Sequence, residues 1–203
     1  MTNSGDIKIL KITELLDEAL QVLGLPVNES TTNTPKRIAK MWVTEFCKNI
    51  NDHNIEELNK KMTTFSCDDT SREMVIVKDI EFHSMCEHHF LPFSGKITVA
   101  YIPNKSIIGL SKIPRVVKFF SQKPQIQERL VKEIGRYLYE LLDPQFILVQ
   151  AVATHGCVMC RGAESDCATD TVWKKVNPYN TERSMFALSE YYTDTFYKRM
   201  GVR

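Results

Sequence analysis

No stretch of this sequence approaches the ~20 consecutive apolar residues that a membrane-spanning helix needs. An excess of one charge sign is missing too. There are 26 Lys and Arg against 25 Asp and Glu, a formal net charge of +1. No global basic field therefore exists to recruit nucleic acid or an anionic membrane, and neither is expected as a partner. An anionic ligand would have to be held by a local cluster of Lys and Arg. Internal repeats and low-complexity tracts are absent. The opening "MTNSGDIKIL" lacks the apolar run that secretion requires, so a cytoplasmic location is expected. What remains is an ordinary globular composition, 43% apolar and 25% charged over 203 residues. That length suffices for one substantial domain with a smaller attachment.

Cysteine is the residue type that stands out: Cys47, Cys67, Cys86, Cys157, Cys160 and Cys167. In a reducing cytosol, clustered Cys and His serve as metal ligands or catalytic groups more often than as bridges. Two short segments hold such clusters. "MCEHHF" (85–90) sets Cys86, Glu87, His88 and His89 side by side, and "THGCVMCRG" (154–162) supplies His155, Cys157 and Cys160.

The surrounding pattern places these segments. Residues 7–24 carry apolar residues at helical spacing and end in Gly24. "TNTPKRIAKMWVTEFCKNI" offers Thr34 as a cap and Pro35 at the first helical position. Residues 1–65 thus read as a helical, rather polar region. From 66 to 203 the character changes. "EMVIVKDIEF" (73–82) and "GKITVAYIP" (95–103) are β-branched runs flanking the first cluster. Two helices follow, the second opened by Pro124. "FILVQAVATH" (146–155) reads as a buried strand, "CVMCRGAESDCATDTVW" as its partner, and a final helix is expected from about Thr181 to Met200. The order is β-β-α-α-β-β with helices at either end, an α+β domain. Strands of one sheet would bring both clusters to the same end.

Zinc favours thiolate and imidazole donors, and a catalytic site keeps one position open. Cys86 and His89 can grip one ion from a single turn, with one distant cysteine completing a three-ligand site. Cys86, His89, Cys157 and Cys160 could equally close a four-donor structural site, and a blander reading leaves all of them as loop and core residues. His88 and His155 favour catalysis, because a structural site does not need spare imidazoles. If residues 156–162 are extended, Cys157 and Cys160 point to opposite faces and only one can be a ligand.

Beyond spacing, "SMCEHHFLPFSGKITVAYIPNKSIIGLSKIPRVVKFFSQKPQIQERL" (84–130), "ATHGCVMCRG" and "TPKRIAKMW" together closely resemble the GTP cyclohydrolase I family, over most of residues 34–162. The resemblance implies zinc held by Cys86, His89 and Cys157, with His88 and His155 transferring protons. Water activated by the zinc would attack C8 of the guanine of GTP, releasing formate and giving 7,8-dihydroneopterin triphosphate. It further implies Gln127 and Glu128 as guanine readers and Ser111 beside the ribose. Lys112, Arg115 and Arg161 would form a triphosphate clamp, joined by Arg37 from a neighbouring subunit. The implied fold is the tunnelling fold, assembled as a homodecamer with active sites between subunits. As isolated residues, Gln127, Glu128 and the four cations would ordinarily be solvated surface.

After Gly162 the sequence departs from that family. "AESDCATDTVWKKVNPYN" replaces a Thr- and Ser-rich run, and Cys160 is unusual. A zinc nucleobase deaminase fails as a rival. It needs its glutamate two residues after the first ligand and a proline before the paired cysteines. Here Glu87 directly follows Cys86, and Gly156 precedes Cys157. Another tunnelling-fold pterin or deazapurine enzyme, or a zinc-stabilised scaffold with a dead site, stays as an alternative.

Overall fold

The protein is described from a computed structural model, in residues 4–51, 54–67, 73–177 and 185–201. Helical periodicity makes α1 (Ser4–Val22), which stops just short of Gly24 at φ +77°, a conformation that costs glycine little. α1 buries no side chain fully, and Ile7, Leu10 and Leu15 remain exposed. α2 (Thr34–Met41) has Pro35 in its first turn as expected. Its cap position is Asn33 rather than Thr34, and no side chain caps it. A wide π-type turn (Trp42–Phe46) and α3 (Ile55–Lys60) complete the helical region, with Leu58 the anchor of α3 in the core.

A two-stranded ribbon follows, made by β1 (Thr64–Ser66) with a later strand, Ser106–Ile108. β2 (Val75–Cys86) and β3 (Pro92–Ile102) form the antiparallel hairpin foreseen from their β-branched runs. The partner of β1 is β4 (Ser106–Ile108). Then come α4 (Lys112–Ser121), β5 (Pro124–Gln125), α5 (Gln127–Leu142) and β6 (Phe146–His155). One helical turn, α6 (Gly156–Met159), leads to β7 (Ala168–Val176) and α7 (Met185–Met200). The main sheet runs β5-β2-β3-β6-β7. Two helices separate its β2-β3 and β6-β7 pairs, the order of the tunnelling fold.

One face of this sheet buries Ile97, Val99, Ile147 and Val149 against Val116, Val117, Leu130, Ile134 and Leu138 of α4 and α5. Each such side chain contributes about 1.5–3 kcal/mol on leaving water. Phe196 of α7 closes the other face with Ala100, Ile102, Phe146 and Leu148. Gly135 lets α5 approach the sheet: a Cβ there would lie 2.1 Å from the Trp173 ring of β7. Any side chain at 135 would push helix and strand apart.

Four expectations need correction. β2 continues through Cys86, so the first candidate ligand ends a strand instead of lying in the turn. Pro124 does not open α5. Pro124 and Gln125 pair in parallel with Met85 and Cys86, and Ile126 is still extended before the helix begins at Gln127. Residues 156–159 are a helical turn, closed by the Cys160 N–H donating to the Gly156 carbonyl at 3.0 Å. The partner of β6 begins only at Ala168. Of the expected last helix, Thr181 to Arg183 and Ser184 lie outside the described residues.

Candidate metal centre

Sheet register brings the two clusters together. Ser84 of β2 faces Phe93 of β3, and Phe93 faces His155 of β6. The ends of three strands therefore meet, with α6 continuing from the third. There, one ligand atom each from Cys86, His89 and Cys157 lies within 4.8 Å of the others. The turn carrying His89 is fixed at both ends. The Phe90 N–H donates to the Cys86 carbonyl, and the Cys86 N–H to the Leu91 carbonyl. Phe90 sits at φ +52° with its ring edge-on to Trp42.

Two thiols and an imidazole are a donor set suited to zinc. Cys86 is buried and Cys157 half-buried. Burial, followed by the neighbouring Cys86, pushes the Cys157 thiol up. Two such sulfurs become thiolates together when a cation offsets their repulsion. The residues fit the metal. Cys160 is exposed and lies outside the ligand group; because residues 156–159 are helical, strand alternation does not set the directions of the two thiols.

The spare imidazoles differ in setting. His88 is exposed, with Nδ1 at 4.0 Å from the Cys86 sulfur. His155 is stacked on Phe93, centroids 4.8 Å apart and planes 1° from parallel. Burial lowers its pKa, with the Glu128 carboxylate opposing. Its Nε2 lies 2.8 Å from Oε1 of Gln127. Gln127 is only 2% exposed, and its Nε2 donates to the carbonyls of Ala151 (2.8 Å) and Thr169 (3.0 Å). Those two donations fix which end of the amide faces His155. The oxygen can only accept, so His155 donates from Nε2 and keeps its lone pair on Nδ1. Both amide hydrogens of Gln127 are thus engaged by backbone carbonyls, which holds its side chain against His155. Glu128, next along, is exposed.

A connection invisible in the sequence spans the site. Arg129 donates two hydrogen bonds to the Glu87 carboxylate, which holds that carboxyl below its ordinary range. The Glu87 N–H also donates to the Gln125 carbonyl at 3.1 Å. The metal turn and the start of α5 are thus one unit. Arg161 joins it by donating to Nε2 of His89 at 2.8 Å.

The remaining candidates lie elsewhere. α4 runs from Lys112 to Ser121, about 15 Å at 1.5 Å per residue. Its far end is the one near the metal turn, where Ser84 donates to the Lys123 carbonyl at 3.2 Å. Ser111 and Lys112 begin the helix at the opposite end. Arg115 lines a separate cleft with Lys118, and Arg37 is exposed on α2. Among the described residues, no side-chain hydrogen bond or ion pair joins Ser111, Lys112, Arg115 or Arg37 to the metal turn.

A Cys–His–Cys group that could hold a metal ion thus lies at one end of a β-β-α-α-β-β sheet, braced to the start of a helix that carries Glu128. Residues 12–188 match the family model described as GTP cyclohydrolase I. The chain belongs to the GTP cyclohydrolase I family. It is 49% identical over 156 residues to "GTP cyclohydrolase 1" of Sulfurihydrogenibium sp. (strain YO3AOP1), covering 76% of this chain and 79% of that one. Identity to the protein of the same name from Clostridium perfringens (strain 13 / Type A) is 44%, covering 75% and 80%. For Yersinia enterocolitica it is 41%, covering 79% and 72%. The solved apo structure of the archaeosine synthase QueF-Like aligns with TM-score 0.45 at 15% identity, over 52% of this chain and 96% of that one. That likeness is too distant to bear on function.

Proposed function

We propose that this chain is a zinc-dependent GTP cyclohydrolase I. It opens the imidazole ring of the guanine of GTP at C8, releases formate and forms 7,8-dihydroneopterin triphosphate. One observation carries the reading: Cys86, His89 and Cys157 converge, in a chain of that family, beside His155 and the helix start that presents Glu128. Zinc, when bound by those three residues, supplies a Lewis acid that makes water nucleophilic near neutral pH.

The chain's own groups do the rest. Glu128 accepts hydrogen bonds from N1–H and the exocyclic amine of guanine, donors that adenine does not present together. Gln127 supports the same site by holding His155, whose free Nδ1 exchanges protons with the opening ring. His88, exposed beside Cys86, serves as the main proton carrier, with the Glu87 carboxylate 3.9 Å from its Nε2. Ser111 lies by the ribose, and Lys112, Arg115, Arg161 and Arg37 clamp the triphosphate.

The placement of α4 supports an assembly in which neighbouring copies complete the site. Arg161 belongs to the metal turn, whereas Ser111 and Lys112 lie about a helix length away in the same chain. We assign the catalytic unit to residues 66–203 and the helical region to 1–65, in a cytoplasmic homodecamer. Among the described residues no helix is long and apolar enough to cross a membrane. Incubating zinc-loaded protein with GTP or ATP tests the proposal. Formate and pterin-type absorbance from GTP alone are expected, and their absence from metal-replete, assembled protein overturns it.

A further inference from the structure

The end of β2 that carries Cys86 is held from outside by β5. Met85 and Cys86 pair with Pro124 and Gln125. The buried Ser84 hydroxyl donates to the Lys123 carbonyl at 3.2 Å, and the Glu87 N–H donates to the Gln125 carbonyl at 3.1 Å. Two carbonyls of this segment thus grip the chain just before and just after the candidate ligand. β5 itself is two residues long and lies at the edge of the sheet, and its Pro124 has no N–H to give. A ladder this short does not fix a strand by its own hydrogen bonds.

The side chains on this segment supply the missing anchor. Lys123 and Gln125 stand two residues apart, the spacing that puts side chains on one face of an extended chain, and both reach the carboxylate of Glu133 on α5. Gln125 Nε2 donates to Glu133 Oε2 at 2.6 Å, and the Lys123 ammonium lies 3.3 Å from Oε1 and 3.1 Å from Oε2. Lys123 is only 8% exposed and Gln125 not at all. An ammonium so deep needs a counter-charge. Among the described residues Gln125 Oε1 has no hydrogen-bond partner, so the bond to Glu133 is what orients this amide. Arg129, four residues before Glu133 and on the same helix face, grips Glu87 itself. α5 therefore holds the metal turn from two successive turns, once directly and once through β5.

We infer that Glu133 is a positioning residue of the metal centre, acting on Cys86 through Lys123, Gln125 and the backbone of β5. Among the described residues it hydrogen-bonds none of the three ligands. The inference rests on the reading of Cys86, His89 and Cys157 as a zinc site, and not on GTP as the substrate. Loss of the carboxylate strands the Lys123 charge and the Gln125 amide in the interior. As these side chains rearrange, the carbonyls they carry shift from Ser84 and Glu87, and the site loosens at Cys86. Residues that hold metal ligands in place set metal affinity by about 10–100-fold. A residue that acts through the backbone belongs at the low end of that range.

The test measures zinc affinity of the full chain by competition with a chromogenic chelator, together with the absorption bands of the cobalt(II)-loaded protein. Glu133→Ala is expected to bind zinc about tenfold more weakly and to shift the cobalt bands. Glu133→Gln keeps an acceptor for Gln125 but loses the charge opposite Lys123, so it should recover part of this, with a loss of about threefold. Leu142→Ala truncates a core residue at the far end of α5. It should lower the melting temperature and leave zinc affinity and cobalt bands as in the parent. Parental zinc affinity in Glu133→Ala, or an equal loss in Leu142→Ala, overturns the inference while leaving the metal centre intact. Should Glu133→Ala not assemble, Glu133→Gln decides alone: the threefold loss sustains the inference, and parental affinity overturns it. A parent that binds neither ion overturns the metal centre itself, and this inference with it.

Discussion

Gln127→Leu removes a side chain that touches three partners and nothing of the solvent. In the native chain its amide nitrogen serves the Ala151 and Thr169 carbonyls, one on β6 and one on β7, and its oxygen accepts from His155. Leucine has similar volume but leaves the buried Ala151 carbonyl and the part-buried Thr169 carbonyl without these donors and the His155 N–H without its acceptor, together about 4 kcal/mol at about 1–3 kcal/mol per group. The added apolar burial returns about 1 kcal/mol. A net loss near 3 kcal/mol is expected, which for a chain of this length is about 6–12 °C in melting temperature. His155 loses its Nε2 acceptor at the same time, so its tautomer is no longer fixed. Turnover should fall on the order of tenfold or more. Gln127→Glu should be worse, because a carboxylate would face two carbonyl oxygens in a buried site. Calorimetry and formate release on zinc-loaded, assembled protein measure both effects. A Gln127→Leu variant within about 1 kcal/mol of the parent, with unchanged turnover, would refute the reasoning.

Cys157→Ser should abolish zinc binding and activity, whereas Cys160→Ser should keep zinc and most turnover; metal analysis of the pair decides, and zinc loss from Cys160→Ser would mean a closed four-donor site. His88→Ala should keep stoichiometric zinc and lose about a hundredfold in rate; loss of the metal instead would reverse the roles of the two adjacent histidines. Arg129→Ala should lower turnover about tenfold while costing under ~1 kcal/mol of stability, since the Glu87 pair is partly exposed. The sign of its pH dependence follows from the lowered Glu87 carboxyl. The brace is present above the ordinary carboxylate range of about 4 and lost as pH falls through the folded value, so the Arg129→Ala stability difference should vanish in acid. A difference that grew on acidification would contradict it.

Much of this was legible in the sequence because its signals are local. The β-branched runs around 73–103 and the bounds of "FILVQAVATH" are period-two patterns, and the sheet followed them. The grouping of Cys86, His89 and Cys157 was expected from motif resemblance, and strand register explains why residues 86 and 157 meet. What failed depended on tertiary pairing. Pro124 reads as a helix opener until β2 offers its edge to Gln125. Residues 156–159 read as a strand until the chain must turn at Gly156, where a Cβ would lie 2.8 Å from the Pro92 carbonyl. The Glu87–Arg129 brace and the Gln127–His155 contact join residues 42 and 28 apart. No periodicity links such positions. The division at residue 65 falls within β1, whose partner β4 lies beyond β3.

The central claim is that the Cys86–His89–Cys157 centre converts GTP with loss of C8. Its most direct test is GTP labelled with ¹³C at C8, incubated with zinc-loaded protein and followed by NMR. The account predicts that the label appears in formate in step with pterin-type absorbance, and that chelation of the zinc stops both. Label retained in the nucleotide by zinc-replete, assembled protein would contradict it.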